Sequence, residues 1–301
     1  MTDLIIYAIP AFVLLLIVEV LSFRVAQEED DLIGYGRRDT RTSLAMGGGN
    51  VLIHFGYAAI AALGYTALYE VSPWRIEPGV VAWVALFFAD DFAYYWFHRI
   101  SHEVRLFWGS HVVHHSSEHY NLSTALRQTW VPFTYFPFWA PLALIGFPPW
   151  MIVTQQAISL IYQFWIHTER IRTLPRPIEL VFNTPSHHRV HHGANAQYLD
   201  RNYGGILIIW DRIFGSFEPE GERVRYGLTT NIHTFNPVKV AFGEYGAIGR
   251  DLARARNWRE RLSYMFRGPG WAPDGLDHRL DDLEAEGTPE TAPSPSLRSA
   301  G

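Results

Sequence analysis

Polar side chains are almost absent from the first stretch of the chain. Leu4 to Phe23 (LIIYAIPAFVLLLIVEVLSF) is nearly continuous in apolar residues, matching the ~20 needed to cross a bilayer as a helix. It lacks the charged front and small-residue cleavage site of a signal peptide, so it reads as a retained span. Glu19 falls inside it, and a carboxylate there is expected to face protein or the membrane boundary. A polar stretch with Arg24, Arg37, Arg38 and Arg41 follows, and Gly47 to Gly49 then read as a loop. Asn50 to Tyr69 and Val80 to Phe97 predict a second and a third span, joined by the turn SPWRIEPG.

Trp130 to Phe147 and Pro149 to Trp165 are apolar but marginal in length, and the helix-breaking GFPP divides them. They predict a hairpin that crosses and returns or dips in and comes back, so that both ends emerge on one face. From His167 to about Asp282 the composition is that of a soluble cap, interrupted by the apolar run GILIIWDRIFGSF. The final EAEGTPETAPSPSLRSAG has the composition of a disordered tail. Arginines between Arg24 and Arg41 put that stretch in the cytoplasm. Counting passes from there, His98 and His167 fall on the same cytoplasmic face.

Composition sharpens this picture. Apolar residues make up 48% of the 301 residues, charged residues 18% and aromatic residues 15%, as expected for long spans with aromatic residues at the interface. The net charge of −5 offers no basic footprint for nucleic acid. The absence of cysteine removes disulfides, thiolate-ligated haem, iron–sulfur clusters and zinc ribbons. A metal in this chain must be held by nitrogen and oxygen, and fourteen histidines are present.

Most of those histidines fall into three short motifs. HRISH holds His98 and His102 four apart on a helix continuing out of the third span. HVVHH holds His111, His114 and His115, and HRVHH repeats the spacing at His188, His191 and His192. Offsets of three and four aim imidazoles at a common point. Eight rings exceed the four ligands of a structural zinc and imply two metals. Nitrogen-rich ligation fits iron among the oxygen-activating metals, with manganese and zinc left open. Asp91, seven residues before His98, shares its helical face and is a candidate to hold that imidazole's other N–H or to serve as a buried structural carboxylate.

The order HxxxH, HxxHH, HxxHH after membrane spans resembles the fatty acid hydroxylase and sterol desaturase superfamily. The resemblance is carried by HRISHEVRLFWGSHVVHHSSEHYNLSTALRQ, QFWIHTE, NTPSHHRVHHG and NYGGILIIWDRIFGSFE, and these look most like its ether-lipid-cleaving branch, the alkylglycerol monooxygenases. It implies that His98, His102, His111, His114, His115, His188, His191 and His192 bind two Fe ions, with His167 joining the ligand set. Glu103 matches an acidic position of that branch and is the candidate catalytic residue. His119 and His187 are expected near the centre rather than in it. Asn202, Tyr203, Trp210 and Asp211 belong to the motif and read as packing and turn residues of the cap.

The reaction so implied inserts one atom of O2 into a C–H bond of a membrane lipid. No flavin or dinucleotide motif is present, so reducing equivalents come from an external electron donor, which in that branch is tetrahydrobiopterin. The expected architecture is an all-α integral membrane protein, a helical transmembrane bundle with a cytoplasmic helical cap holding a histidine-ligated di-iron site. Residues 1–97 form its N-terminal transmembrane helices, 98–282 the hydroxylase region with a membrane hairpin at about 130–166, and 283–301 the disordered tail. In a bacterium such a multi-pass protein lies in the inner membrane with its site on the cytoplasmic face. Alternatives are a sterol desaturase or sterol C-4 methyl oxidase, a bacterial aminolipid hydroxylase, a zinc hydrolase, and a histidine-rich metal-binding membrane protein without catalysis.

Overall fold

A computed structural model describes residues 2–26, 32–279 and 281. Among them the secondary structure is helical, with isolated bridges and no strand. The tail expected at 283–301 lies outside the described residues.

The three predicted spans are present as helices. α1 (Thr2–Ala26), α2 (Arg37–Val71) and α3 (Val80–Glu103) are each long and apolar enough to cross a membrane. α1 leaves most of its apolar surface open, with Leu14 and Val18 more than half exposed. A helix that is apolar on every side and covered on few of them is stable where lipid, not water, surrounds it.

α2 departs from expectation. Its 35 residues run without a break through Gly47 to Gly49, where a loop was predicted. A Cβ on Gly49 would come within 2.5 Å of the Trp130 ring, and one on Gly47 within 2.8 Å of the Leu126 carbonyl oxygen. These glycines let the 126–130 segment lie directly on the helix backbone, and that packing outweighs their poor helix propensity.

α3 continues past the predicted third span to Glu103, as the HRISH spacing required, and α4 (Arg105–His115) follows after one residue. The predicted hairpin is α5 (Phe136–Ile145) and α6 (Pro149–Trp165). Gly146 turns between them with φ of +104°, and a Cβ there would meet the Trp74 carbonyl oxygen at 2.7 Å. At about 1.5 Å per residue α5 is only about 15 Å long, well short of a ~30 Å hydrocarbon core. Tyr65, Leu86, Phe97, Trp139, Met151 and Ile152 from α2, α3, α5 and α6 form one buried cluster.

The remainder consists of short helices and ordered loops over the ends of α3 and α4: α7 (Arg176–Val181), α8 (Pro185–His191), α9 (Ile209–Phe214), α10 (Pro237–Arg254) and α11 (Trp258–Phe266). Buried ion pairs tie this layer down. Arg127 donates to Asp39 at 2.8 Å and to the carbonyls of Val113 and Ser116, closing the C-terminal end of α4. Arg189, inside HRVHH, donates to Glu220 and to the carbonyls of Thr168, Ile171 and Arg172.

Candidate metal centre

Nine histidines converge in two adjoining groups. His98, His102, His111, His115 and His191 form one, and His114, His167, His188 and His192 the other; within each, the ligand atoms lie within 4.8 Å of one another. All nine side chains are the ones singled out from sequence. α3 supplies an i, i+4 pair, α4 supplies three rings, α8 and its C-cap supply three, and His167 comes from the turn after α6. In each HH dipeptide the two rings part company, His114 from His115 and His191 from His192. Successive helical side chains diverge by about 100°, so neighbours cannot aim at one point.

Second nitrogens are held by backbone. Nδ1 of His98 donates to the Tyr203 carbonyl at 2.8 Å, Nδ1 of His167 to that of Gln163 at 2.7 Å, and Nδ1 of His191 to that of Arg201 at 3.0 Å. These bonds leave each Nε2 as a lone pair aimed inward. Asp211 in turn accepts from the N–H groups of Tyr203 and Gly204 at 2.7 Å each, which fixes the carbonyl serving His98. Of the two roles open to Asp91, the structure gives it the structural one and not that of partner to His98. It accepts from the N–H groups of Ile206 and Leu207 and from the Trp210 indole, because the cap turn descends onto α3 where that carboxylate points.

The donor set fits a bound cation. Nε2 of His111 lies 2.9 Å from Nε2 of His98 and 3.1 Å from that of His115, which is 3.0 Å from Nε2 of His191. With His98 and His191 as acceptors, His111 and His115 would each have to donate outward, and the 3.1 Å contact between them would then join two N–H nitrogens with no lone pair to accept. No arrangement of neutral rings satisfies this row. Burial disfavours the charged alternative by holding the pKa values of His111, His115 and His191 well below the usual imidazole value. Nε2 of His102 and of His192 are buried with no partner at all. At metal–imidazole distances of about 2.0–2.1 Å, adjacent ligand nitrogens stand about 3 Å apart, as those of His98, His111, His115 and His191 do along this row.

The remaining candidates fall outside these groups. Glu103 is exposed and pairs with Arg99 at 2.8 Å; Arg99 reaches Tyr95 at 3.0 Å and lies 6.0 Å from the Tyr203 ring. His187 pairs with Glu179 at 2.9 Å, and His119 sits against Gly36. Asn202, Trp210 and Asp211 are the packing and turn residues expected. Tyr203 does more, since its ring lies 5.4 Å from that of His102. Sequence reasoning passed over Arg127, Arg189 and Asp200, the last of which has its Oδ1 3.7 Å from Nδ1 of His102. Arg189 lies within the HRVHH motif and could have been noticed there. The other two have no local signal.

A cavity of about 960 Å³ reaches the five-histidine group, bounded by His102, His115 and His191, by apolar Trp108, Val238 and Phe242, and by polar Thr229, Lys239 and Arg250.

Fold and site define a helical membrane protein with two adjoining polyhistidine clusters at the ends of its helices. The Fatty acid hydroxylase family model matches residues 83–216, the stretch that carries all nine of these ring positions, and the chain belongs to that family. It is 42% identical over 273 residues to human alkylglycerol monooxygenase, covering 86% of this chain and 59% of that protein. It is 48% identical over 202 residues to the zebrafish (Danio rerio) alkylglycerol monooxygenase, covering 67% and 44%, and 27% identical over 176 residues to an ornithine lipid hydroxylase of Rhizobium tropici, covering 57% and 52%. The chain thus spans about half the length of the curated relatives it matches. The family and these relatives are oxidoreductases, and together with the histidine clusters they point to iron. No solved structure matches the chain.

One consequence concerns pH. Folded-state pKa values of the buried histidines are depressed, that of His114 to about 4, so below the unfolded value of about 6.5 the unfolded chain takes up protons that the folded chain does not. Stability of the metal-free protein is therefore expected to fall as pH drops from 7 to 5. Thermal unfolding in detergent across that range measures it, and a midpoint independent of pH would contradict the neutral-ring reading.

Proposed function

We propose that this chain is a membrane lipid monooxygenase whose two histidine groups hold two iron ions, and that its substrate is an alkylglycerol ether. The observation that carries the reading is the pair of adjoining groups of five and four imidazoles, all buried but the half-buried His111, which contain no carboxylate and of which the first has no satisfying arrangement of protons on neutral rings. Bound iron would supply the activation of O2 and the abstraction of hydrogen from a lipid carbon. The chain's own residues orient and enclose. Backbone carbonyls of Tyr203, Gln163 and Arg201 fix the imidazole tautomers, burial keeps water from the rings, and Trp108, Val238 and Phe242 offer an apolar wall along the approach to them.

The reaction balances with an outside donor. One atom of O2 enters the C–H bond next to the ether oxygen, and the other leaves as water with two electrons and two protons from a reduced cofactor, here a tetrahydropterin. The resulting hemiacetal collapses to a fatty aldehyde and a free glycerol hydroxyl. Glu103 is assigned to this reaction as a positioning residue acting through Arg99, whose guanidinium faces Tyr203 and Tyr95. In the bilayer, the arginines of 24–41 favour a multi-pass arrangement with the histidine-bearing cap on the cytoplasmic face.

The test is turnover of an alkylglycerol by purified protein with tetrahydropterin under isotopically labelled O2. Two nitrogen-bound irons per chain and label in the aldehyde are expected. A single zinc in fully active protein would sink the reading, and labelled product only from an aminolipid would move the substrate. Glu103→Gln is expected to lose most turnover at matched iron content; equal rates return Glu103 to a solvated helix face. Reporters fused after Arg38 and after Gly193 are expected on one side of the membrane, and opposite sides would break the site's topology.

A further inference from the structure

The chain beyond α11 returns to the histidines. The Arg267 carbonyl accepts from the N–H of Arg105 at the start of α4 at 2.9 Å, and the N–H of His278 then donates to the Gly270 carbonyl at 3.0 Å. This strap delivers Arg279, far outside the 83–216 stretch that matches the family. Nη2 of Arg279 donates to Oδ2 of Asp200 at 2.8 Å and Nη1 to Oδ1 at 3.3 Å, while Asp277 accepts from Nη2 at 2.7 Å. Oδ1 of that same Asp200 is 3.7 Å from Nδ1 of His102.

Three features give this arrangement a purpose. His98, His167 and His191 each have Nδ1 held by a neutral backbone carbonyl, whereas the Nδ1 of His102 faces a carboxylate. At 3.7 Å this is a charge contact rather than a hydrogen bond, and a negative charge in that place favours the ring with its Nδ1–H toward Asp200 and its Nε2 lone pair toward a metal. Asp200 sits at φ of +59°, a left-handed conformation that a residue with a Cβ holds only when its surroundings fix it; Arg279 grips both its oxygens. On the far side of the ring, Nε2 of His102 is buried and unpartnered, free for a metal.

We infer that Arg279 is a positioning residue of the metal centre, holding Asp200 against the Nδ1 side of His102 so that this ring is presented to the five-histidine group. The inference rests on the metal-centre part of the proposed function and not on its substrate. An ion pair supplied from outside the matched stretch thereby makes the C-terminal strap part of the site.

Cobalt(II) serves as the probe, titrated into the full metal-free chain in detergent against a competing chelator and followed by its ligand-field absorption. The parent is expected to bind in two steps, with His192→Ala removing one and so assigning the other to the five-histidine group. Arg279→Gln and Asp200→Asn are each expected to weaken that step alone by about 10- to 100-fold and to alter its absorption. The double variant is expected to be no weaker than either single one, and Arg279→Lys to recover part of the loss. Unchanged cobalt affinity in both single variants overturns the inference. So does equal weakening of both steps with a lowered unfolding temperature of the metal-free protein, which would make the strap merely structural. If Arg279→Gln does not fold, Asp200→Asn and Arg279→Lys decide by the same readings. Failure of the substrate reading shows in lipid turnover, whereas failure of this inference shows in cobalt binding.

Discussion

Replacing His191 by alanine is expected to abolish the proposed lipid oxidation, a loss exceeding about 100-fold, because on that reading it removes a direct ligand, which costs more than the 10- to 100-fold typical of a ligand's outer partner. His191 is the ring that closes the five-membered group from the cap side, with Nε2 3.0 Å from that of His115 and Nδ1 fixed on the Arg201 carbonyl. Its loss removes one donor from a set whose other members come from α3 and α4, so the cap would no longer be tied to the bundle through the metal. Iron content is expected to fall while membrane insertion is retained, since the spans α1 to α3 do not involve this residue. The matched variant His188→Ala should act on the other group. Elemental analysis beside turnover checks both, and full iron content with full activity in His191→Ala would remove this histidine from the ligand set.

The largest effect on stability is expected at Arg127. Its side chain is 1% exposed, and it pairs with Asp39, itself 4% exposed, while donating to the last carbonyls of α4. Arg127→Met leaves Asp39 buried with no cation, and breaking one side of a buried pair costs about 3–5 kcal/mol. For a protein of this size that corresponds to a fall in unfolding temperature on the order of 10 °C. The double variant Arg127→Met with Asp39→Leu should regain much of the loss, because replacing both charges removes the desolvation penalty along with the attraction. A single variant as stable as the parent would show that the pair is accessible to water. Because Arg127 closes the helix end that carries His111, His114 and His115, weakened metal binding is expected alongside.

Much of the architecture could be read from local pattern. Runs of apolar residues long enough for a bilayer announced α1 and α3, and the proline pair after Gly146 announced the break between α5 and α6. The histidine motifs named eight of the nine ring positions, because helical spacing is a local property, whereas His167 has no such spacing and was singled out only by the family resemblance. Local pattern misread α2, where glycines at 47–49 suggested a loop. Their effect depends on Trp130 and Leu126, which pack against them from more than seventy residues away.

How the histidines divide was decided only in three dimensions. Spacing suggested that offsets of three and four aim rings at one point, yet the structure sends His98 with His102, His111 with His115 and His188 with His192 to common groups, each at an offset of four. His114 and His191, at offsets of three from the preceding histidine, cross to the opposite group. A helix turn fixes which rings lie on a face, but two helices and a turn from elsewhere in the chain determine where those faces meet. The same holds for Asp91, which shares a helical face with His98 but is claimed by the turn at Ile206 and Leu207. It holds also for Asp200 and Arg279, separated in sequence yet joined at His102. The sequence by itself determined the spans and the candidate donors; the grouping of those histidines, and the charges beside them, came from tertiary contacts that no local spacing encodes.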